Sequence, residues 1–313
     1  MSDEIVETVP AALAGERLDR VVALLLDVSR SVATAVIEAG GASVDGETAP
    51  SGKARLVEGQ VVTVDPDAVP VAEPPQPDDA VEFGVIHEDD AIVVIDKPAG
   101  LVVHPGAGNT AGTLANGLLA RYPEIVDVGE RIRPGIVHRL DAGSSGLLVV
   151  ARTQAAADAL IEQFVDHSAT RAYIALVWGH PDAPHGVIDA PIGRSRRDPL
   201  RMAVVADGRW ARTEYRVLDR FDSPAELALL ECRLETGRTH QIRVHLSSIN
   251  HPLVGDPTYG QRRPKLQVER PFLHAAELSF IHPTTHERVT YRSDLAPDLA
   301  ARLASLRRVE RDT

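Results

Sequence analysis

The chain has 313 residues, of which 44% are hydrophobic and 25% charged, and its net charge is −12. That length accommodates one large domain beside a small one, and no apolar run approaches the ~20 residues of a membrane span. Its single cysteine, Cys232, excludes an internal disulfide and a cysteine-rich zinc site. The opening "MSDEIVETVP" is acidic, with no basic segment leading into an apolar one, so no signal peptide is expected and a reducing cytoplasm is the expected location.

The acidity is unevenly spread. The first 90 residues carry 19 acidic and 5 basic side chains, and the remainder carries 26 and 28. Arginines cluster late in the chain, in "IGRSRRDPLR" (192–201) and "YGQRRPK" (259–265). A local basic groove suited to nucleic acid is compatible with this pattern, and so are solvated loops without a ligand.

From Gly15 to Asp65 the residues read as one compact unit. Leu18, Val21, Val22, Leu25 and Leu26 recur at helical spacing. A Ser29-Arg30-Ser31 start opens a second helix with Val32, Ala35, Val36 and Ile37 on its apolar side, and Gly40-Gly41 stops it. Strand-like pieces follow around "ASVDGE" and "GQVVTVD". The stretch "PDAVPVAEPPQPDDA" (66–80), rich in proline and acid, is predicted to be a linker. Beyond it, strand-length runs dominate: "IHEDDAIVVIDKPAGLVVHP", "GIVHRLDAGSSGLLVVAR", "RAYIALVWGH", "ARTEYRVLDRF" and "ELALLECRLETGRTHQIRVHL". Two helical patterns intervene, "TLANGLLARY" (113–122) and "QAAADALIEQFVDH" (154–167). Sequential strands with few helices predict an α+β fold on a largely antiparallel mixed sheet.

Familiar site motifs are missing. "GSSG" lacks the spacing of a nucleophile elbow, "GAGNTAG" (106–112) carries alanine where a dinucleotide fingerprint needs its third glycine, and no Gly-Lys-Ser/Thr phosphate loop occurs. His240 and His245 are five apart, outside a His-Glu-x-x-His frame, so no metal site is predicted. Asp141, in "HRLDAGSSGLLVV" (138–150), stands where the chain turns into an apolar strand. Taken alone it is either a turn residue or a positioned reactive carboxylate.

"HRLDAGSSGLLVVAR" resembles the His-Arg-Leu-Asp-x-x-Thr/Ser-Ser-Gly-Leu signature of the RluA-type pseudouridine synthases. The likeness continues in "EDDAIVVIDKPAGLVVHPGAG" (88–108), "RAYIALVWG" (171–179), "LETGRTHQIRVHL" (234–246), "HPLVGDPTYG" (251–260) and "RPFLHAAELSFIHP" (270–283). Residues 15–65 resemble the S4 RNA-binding module that often precedes this catalytic domain. The sequence departs from the family in "DAGSSG", where members more often carry "DKDTSG". The resemblance implies a pseudouridine synthase fold over 81–313, a small S4-like α/β RNA-binding domain over 15–65, and the 66–80 linker between them.

By the same resemblance, the protein is expected to isomerise uridines of large-subunit (23S-type) ribosomal RNA without a cofactor or metal. Its expected partner is RNA, either that ribosomal RNA or the assembling subunit, with no membrane and no obligate protein partner. Asp141 would be the catalytic carboxylate, Arg243 its cation partner, and Tyr173 the aromatic that stacks on the base or assists a proton. Arg139 would help extrude the nucleotide, and Leu273 would wall the base. Arg30, Arg194, Arg196, Arg197 and Arg201 are the candidate phosphate contacts. His138 and His240 are expected to brace the loop. The S4-like stretch holds five basic residues against eight acidic ones, an unusual balance for RNA binding. A noncatalytic RNA-binding or ribosome-assembly factor on the same scaffold is the alternative, and a hydrolase with an aspartate nucleophile or histidine-bound metal is a third class.

Overall fold

The computed structural model describes residues 4–28, 30–49, 51–69, 74–105, 109, 111–198, 201–260, 266 and 268–308. The expected helix start at Ser29, and Arg262, Arg263 and Lys265 of the second basic cluster, lie outside the described residues. The chain divides into two compact units, 1–73 and 74–313. Among the described residues no helix is long and apolar enough to cross a membrane.

The first unit contains β1 (Ile5–Thr8), α1 (Leu18–Leu25), α2 (Arg30–Glu38), β2 (Ala42–Val44), β3 (Glu47–Thr48) and β4 (Val61–Val64). Its antiparallel sheet has the order β1-β4-β2-β3. Leu18, Val21 and Val22 of α1 and Val36 and Ile37 of α2 are buried with Val62 and Val64, so the helical spacing marks the buried faces. The unit starts earlier than the expected Gly15 boundary, because Ile5–Thr8 pair with Val61–Val64. It also runs past Asp65, whose side chain accepts from the N–H of Asp67 at the start of a 3-10 turn. Gln76, in the second half of the expected linker, is held through its carbonyl by the Asn116 amide at 2.7 Å.

The second unit begins with β5 (Gly84–Glu88), β6 (Ile92–Lys97), α3 (Leu114–Arg121), β7 (Ser145–Ala151), α4 (Gln154–Val165) and β8 (Thr170–Trp178). Next come β9 (His185–Asp189), β10 (Ile192–Arg194), β11 (Met202–Val204), β12 (Arg212–Ser223) and β13 (Leu227–Leu234). The last elements are α5 (Gln241–Ser248), β14 (Leu273–Ile281), β15 (Arg288–Arg292), α6 (Pro297–Ala304) and β16 (Arg307–Arg308). The main sheet runs β16-β12-β13-β8-β14-β7-β6-β5, with β15 on β14 and β9 on β12. The architecture is α+β and mostly antiparallel.

Chain direction changes hand at one seam, where β7 and β14 run parallel, with His274 opposite Ser145 and Ala275 opposite Gly146. Ser145 Oγ and His274 Nδ1, both buried, meet there at 3.0 Å. Gly146 has φ +112°, and a Cβ on it would stand 2.3 Å from the Ala275 carbonyl oxygen. Only glycine fits that position. β7 is buried along its whole length, which is why its run of Leu147, Leu148, Val149 and Val150 shows no alternation.

One expected element has a different form. "QIRVHL" reads as a strand because apolar and polar residues alternate, yet it forms α5. All of Gln241 to Leu246 are buried, so alternation carries no information about a solvent face. Gln241 anchors the helix start by accepting from Arg238 N–H at 3.0 Å and Thr236 Oγ1 at 2.6 Å, while its amide donates to the Arg212 carbonyl at 2.9 Å.

The β5–β6 turn is tied to the end of β14 through Asp89, whose Oδ2 lies 2.7 Å from His87 Nε2 and 3.0 Å from His282 Nε2. These side chains bring three ligand-type atoms within 4.8 Å of one another. However, the N–H groups of Thr284 and Thr285 both donate to His282 Nδ1, which leaves the ring proton on Nε2 facing Asp89. A protonated nitrogen cannot ligate a metal, so the cluster is a hydrogen-bonded tie. Burial works to raise the Asp89 carboxyl, but hydrogen bonds from His87, the Ile92 and Ala91 N–H groups and His282 outweigh it and bring the pKa down to about 2.

Two outcomes are expected. Gly146→Ala should destabilise the second unit by more than about 4 kcal/mol or prevent its folding, whereas Gly143→Ala should cost only about 1 kcal/mol. At Gly143 the new Cβ meets nothing closer than the Pro271 ring at 3.0 Å. Thermal unfolding of the two variants checks this. Because Asp89 is depressed in the folded state, its stabilisation is present above its ordinary 3.8 and is lost as pH falls through about 2. Asp89→Asn should therefore be less stable than wild type near neutrality, by about 1 kcal/mol given partial solvent screening, with the gap closing between pH 5 and 2.

Candidate active site

Asp141 stands in the turn that feeds β7. Its carbonyl accepts from Ser144 N–H at 3.0 Å, and the next carbonyl, of Ala142, accepts from Gly100 N–H at 2.8 Å and Lys97 Nζ at 3.2 Å. Lys97 is fully buried at the end of β6 and also donates to the carbonyls of Pro98 and Leu101, at 2.8 and 2.9 Å. Burial pulls its ammonium down to about 7, with Asp141 the strongest opposing charge. Arg270 donates to the Gly143 carbonyl at 3.3 Å. The carbonyls of residues 141, 142 and 143 are thus all engaged, and the turn presents its carboxylate in one direction.

Arg243 approaches from α5. Its Nη1 donates to Asp141 Oδ2 at 3.1 Å, while Nε and Nη2 form a fork to Asp256 at 2.7 and 2.9 Å. Asp256 has no exposed side-chain surface, and Arg243 is 7% exposed. Burial opposes both charges. The Asp256 hydrogen bonds and charge nevertheless raise the Arg243 pKa, and Arg243 lowers that of Asp256. Asp256 also accepts from the N–H groups of Thr258 and Tyr259, at 2.8 and 3.0 Å. The second Asp141 oxygen, Oδ1, lies 3.9 Å from His240 Nε2. His240 sits in the left-handed region at φ +57° and heads α5, with Nδ1 2.9 Å from the Tyr259 hydroxyl. Burial lowers its pKa, so the ring is neutral.

A hollow of about 60 Å³ lies between these groups, lined among others by Arg139, Asp141, Arg171, Tyr173, Arg243 and Leu273. The three predicted catalytic residues and both predicted substrate contacts therefore share one cavity. Tyr173 and Leu273 are 5% and 4% exposed and belong to the main core, so each is at once packing and wall. Burial raises the Tyr173 phenol above its ordinary pKa and keeps it protonated. Arg139 reaches outward, its Nη1 3.4 Å from His104 Nε2. His138 braces the β7 edge, its Nε2 accepting from Val149 N–H at 3.0 Å, and burial pulls it down to about 3.

The candidate phosphate contacts do not line the hollow. Arg196 pairs with Asp207 and Arg201 with Asp198, each at 3.1 Å, and Arg30 pairs with Asp19 at 3.0 Å. Arg194 closes β10, and Arg197 donates its backbone N–H to Ser195 Oγ at 3.3 Å. The pairings reduce the positive charge that the arginine-rich text suggests.

Three residues at the site were not singled out from the sequence. Asp256 lies in the "HPLVGDPTYG" block, where Asp before Pro reads as a turn. Lys97 ends an apolar run, a place where a charged head needs buried acceptors. Arg171 precedes Tyr173 by two, a spacing that puts both on one face of a strand.

A family model described as RNA pseudouridylate synthase matches residues 91–248. An uncharacterized RNA pseudouridine synthase of Chloroflexus aurantiacus is 46% identical over 310 residues, covering 97% of this chain and 94% of the relative. Ribosomal large subunit pseudouridine synthase D of Nitrosomonas europaea is 45% identical over 308 residues, covering 96% and 87%. Among solved structures, human RNA pseudouridylate synthase domain containing 1 matches with a TM-score of 0.59 at 26% identity, over 75% of this chain and 91% of that one. The segment 91–248 carries Asp141, Tyr173 and Arg243, and relatives above 40% identity span nearly the whole length. The chain belongs to the RNA pseudouridylate synthase family.

Proposed function

We propose that the protein converts uridines of large-subunit ribosomal RNA to pseudouridine, with Asp141 as the carboxylate on which bond exchange depends. The supporting observation is the 3.1 Å contact between Asp141 and the buried Arg243, at the edge of a hollow that Tyr173 and Leu273 complete. The substrate class is carried over from relatives named for the large ribosomal subunit.

The reaction breaks the bond between N1 and the sugar C1′, turns the base, and joins C5 to C1′. Atoms are conserved and no electrons are exchanged with a co-reactant. Asp256 occupies the Nε and Nη2 side of Arg243, so Nη1 meets Asp141 Oδ2 while Oδ1 lies 3.9 Å from His240 Nε2. Arg243 orients the carboxylate, which is available to act on the sugar or the base as a nucleophile or through its charge. The protonated phenol of Tyr173 offers a ring face to the uracil and a hydroxyl for proton traffic. A stacked uridine must first be extruded, at roughly a few kcal/mol, and Arg139 at the mouth is placed to hold the displaced strand. The first unit, as an S4-like module over residues 15–65, and the 192–201 arginines supply phosphate grip. Exposed pairs such as Arg196–Asp207 are weak and screened by salt, so an RNA phosphate can displace the acid.

Asp141→Asn should abolish pseudouridine formation on transcribed ribosomal RNA fragments, by at least about 10³-fold, while RNA affinity stays within a few-fold. Full turnover by this variant would refute the role. Tight binding by the wild type with no turnover on any supplied RNA would favour a noncatalytic factor. Replacing Arg194, Arg196, Arg197 and Arg201 together by alanine should raise KM, leave kcat nearly unchanged, and flatten the salt dependence of binding by about 0.7 for each phosphate no longer neutralised. Filter binding across a salt series, alongside steady-state assays, checks this.

A further inference from the structure

Arg171 lies on β8 two residues before Tyr173, on the same face of the strand, and lines the same hollow. It is 8% exposed, and burial lowers its guanidinium pKa from the ordinary value. Among the described residues nothing accepts a hydrogen bond from this guanidinium, and its Nε is wholly covered. Its surroundings are apolar or bare. The guanidinium carbon lies 5.1 Å from the centre of the Phe164 ring. Against Nη1 stands Gly237, where an added Cβ would come within 2.7 Å. The absent side chain of Gly237 makes the room the guanidinium occupies.

A structural arginine at this depth ordinarily forks onto a carboxylate or several carbonyls. The other buried arginine of the hollow does so, since Arg243 serves both Asp256 and Asp141. Phe164 offsets only part of the desolvation of Arg171. Two further covered polar atoms nearby also lack a partner. Ser144 Oγ lines the hollow, and His138, whose Nδ1 is the other, packs on Phe164 with ring centres 4.5 Å apart. His138 Nε2 accepts from the backbone, so Nδ1 carries the proton. A buried guanidinium and a buried hydroxyl that line the hollow with no partner of their own among the described residues point to a group that arrives with the substrate.

We propose that Arg171 is a catalytic residue that receives a uracil carbonyl oxygen and holds the negative charge the base acquires when its bond to the sugar breaks. The proposal rests on uridine isomerisation in this hollow. When N1–C1′ breaks heterolytically, the bonding pair moves onto the ring and spreads over N1, O2 and O4, and C1′ is left electron-poor. Rejoining forms C5–C1′, C5 gives up its proton, and N1 takes one up, so nothing is oxidised and no co-reactant is consumed. The carbonyl oxygens carry more charge in that transition state than in the bound uridine. A fixed, buried cation therefore favours the transition state over the ground state.

The test uses full-length Arg171→Gln and Arg171→Lys on RNA carrying uridine, and on the same RNA carrying 5-fluorouridine at the target position. Fluorine at C5 stabilises the base anion by itself and makes the arginine less necessary. Arg171→Gln should lower the single-turnover rate by about 10²–10³-fold on uridine, with KM changed less than about 3-fold. Arg171→Lys should recover part of the rate, and the deficit of glycosidic cleavage should shrink about tenfold on 5-fluorouridine. If the glutamine variant does not fold, the lysine variant carries the same comparison. A glutamine variant as fast as wild type overturns the proposal. So does a loss confined to KM, which would make Arg171 a phosphate contact, or a deficit equal on both bases with a lowered Tm, which would make it packing. Wild-type protein inactive on every uridine RNA would overturn both this proposal and the isomerase reading beneath it.

Discussion

The guanidinium of Arg243, shared between Asp256 and Asp141, is the interaction on which the rest of the site depends. Each of the three groups comes from a different segment: α5, the loop before β14, and the turn before β7. Desolvating a guanidinium and a fully covered carboxylate is costly, and the cost is tolerable only because the fork geometry and two backbone donors satisfy Asp256 completely. With that anchor made, the guanidinium plane is fixed and its Nη1 points at Asp141. Tyr259 extends the anchor, since its ring lies 5.1 Å from the guanidinium carbon and its hydroxyl meets both His240 and the backbone of Met202.

The sheet supplies the other half of the geometry. The carboxylate turn is pinned from below by Lys97, Gly100 and Arg270, all through backbone carbonyls and none through the carboxylate. The Asp141 carboxylate is thus located through backbone carbonyls, with Oδ2 engaged, among the described residues, by Arg243 alone. The parallel seam of β7 and β14 brings Leu273 beside the turn, and β8, which pairs with β14 on the other side, delivers Tyr173 and Arg171. Gly146 permits that seam because the Ala275 carbonyl takes the space a side chain would fill.

The text of the chain revealed some of this and concealed the rest for identifiable reasons. Asp141, Tyr173 and Arg243 stand in short blocks whose combination is specific to one family, and the structure brings them into one cavity. Helices α1, α3 and α4 announced themselves by spacing or length. Helix α5 did not, because a helix buried on every side has no face for a pattern to mark. Strand β1 was hidden by its acidic, exposed residues, since only its backbone pairing with β4 gives it a place. The arginines of 192–201 looked like free charge until Asp198 and Asp207 were seen beside Arg201 and Arg196.

By itself the sequence determined the chemistry available to this protein: an acid before a glycine-rich turn, an aromatic two residues after an arginine, and an arginine in a Gln-Ile-Arg block. Apart from α5 and β1, it also determined the alternation of strands and helices, since local spacing and turn residues act over short distances. Tertiary structure alone decided which charges neutralise one another and which do not. Asp256 is adjacent to Arg243 only in space, and among the described residues the fold brings no carboxylate into ion-pair contact with Arg171. Electrostatic partnership depends on distance and burial, and neither is carried by the order of residues along a chain.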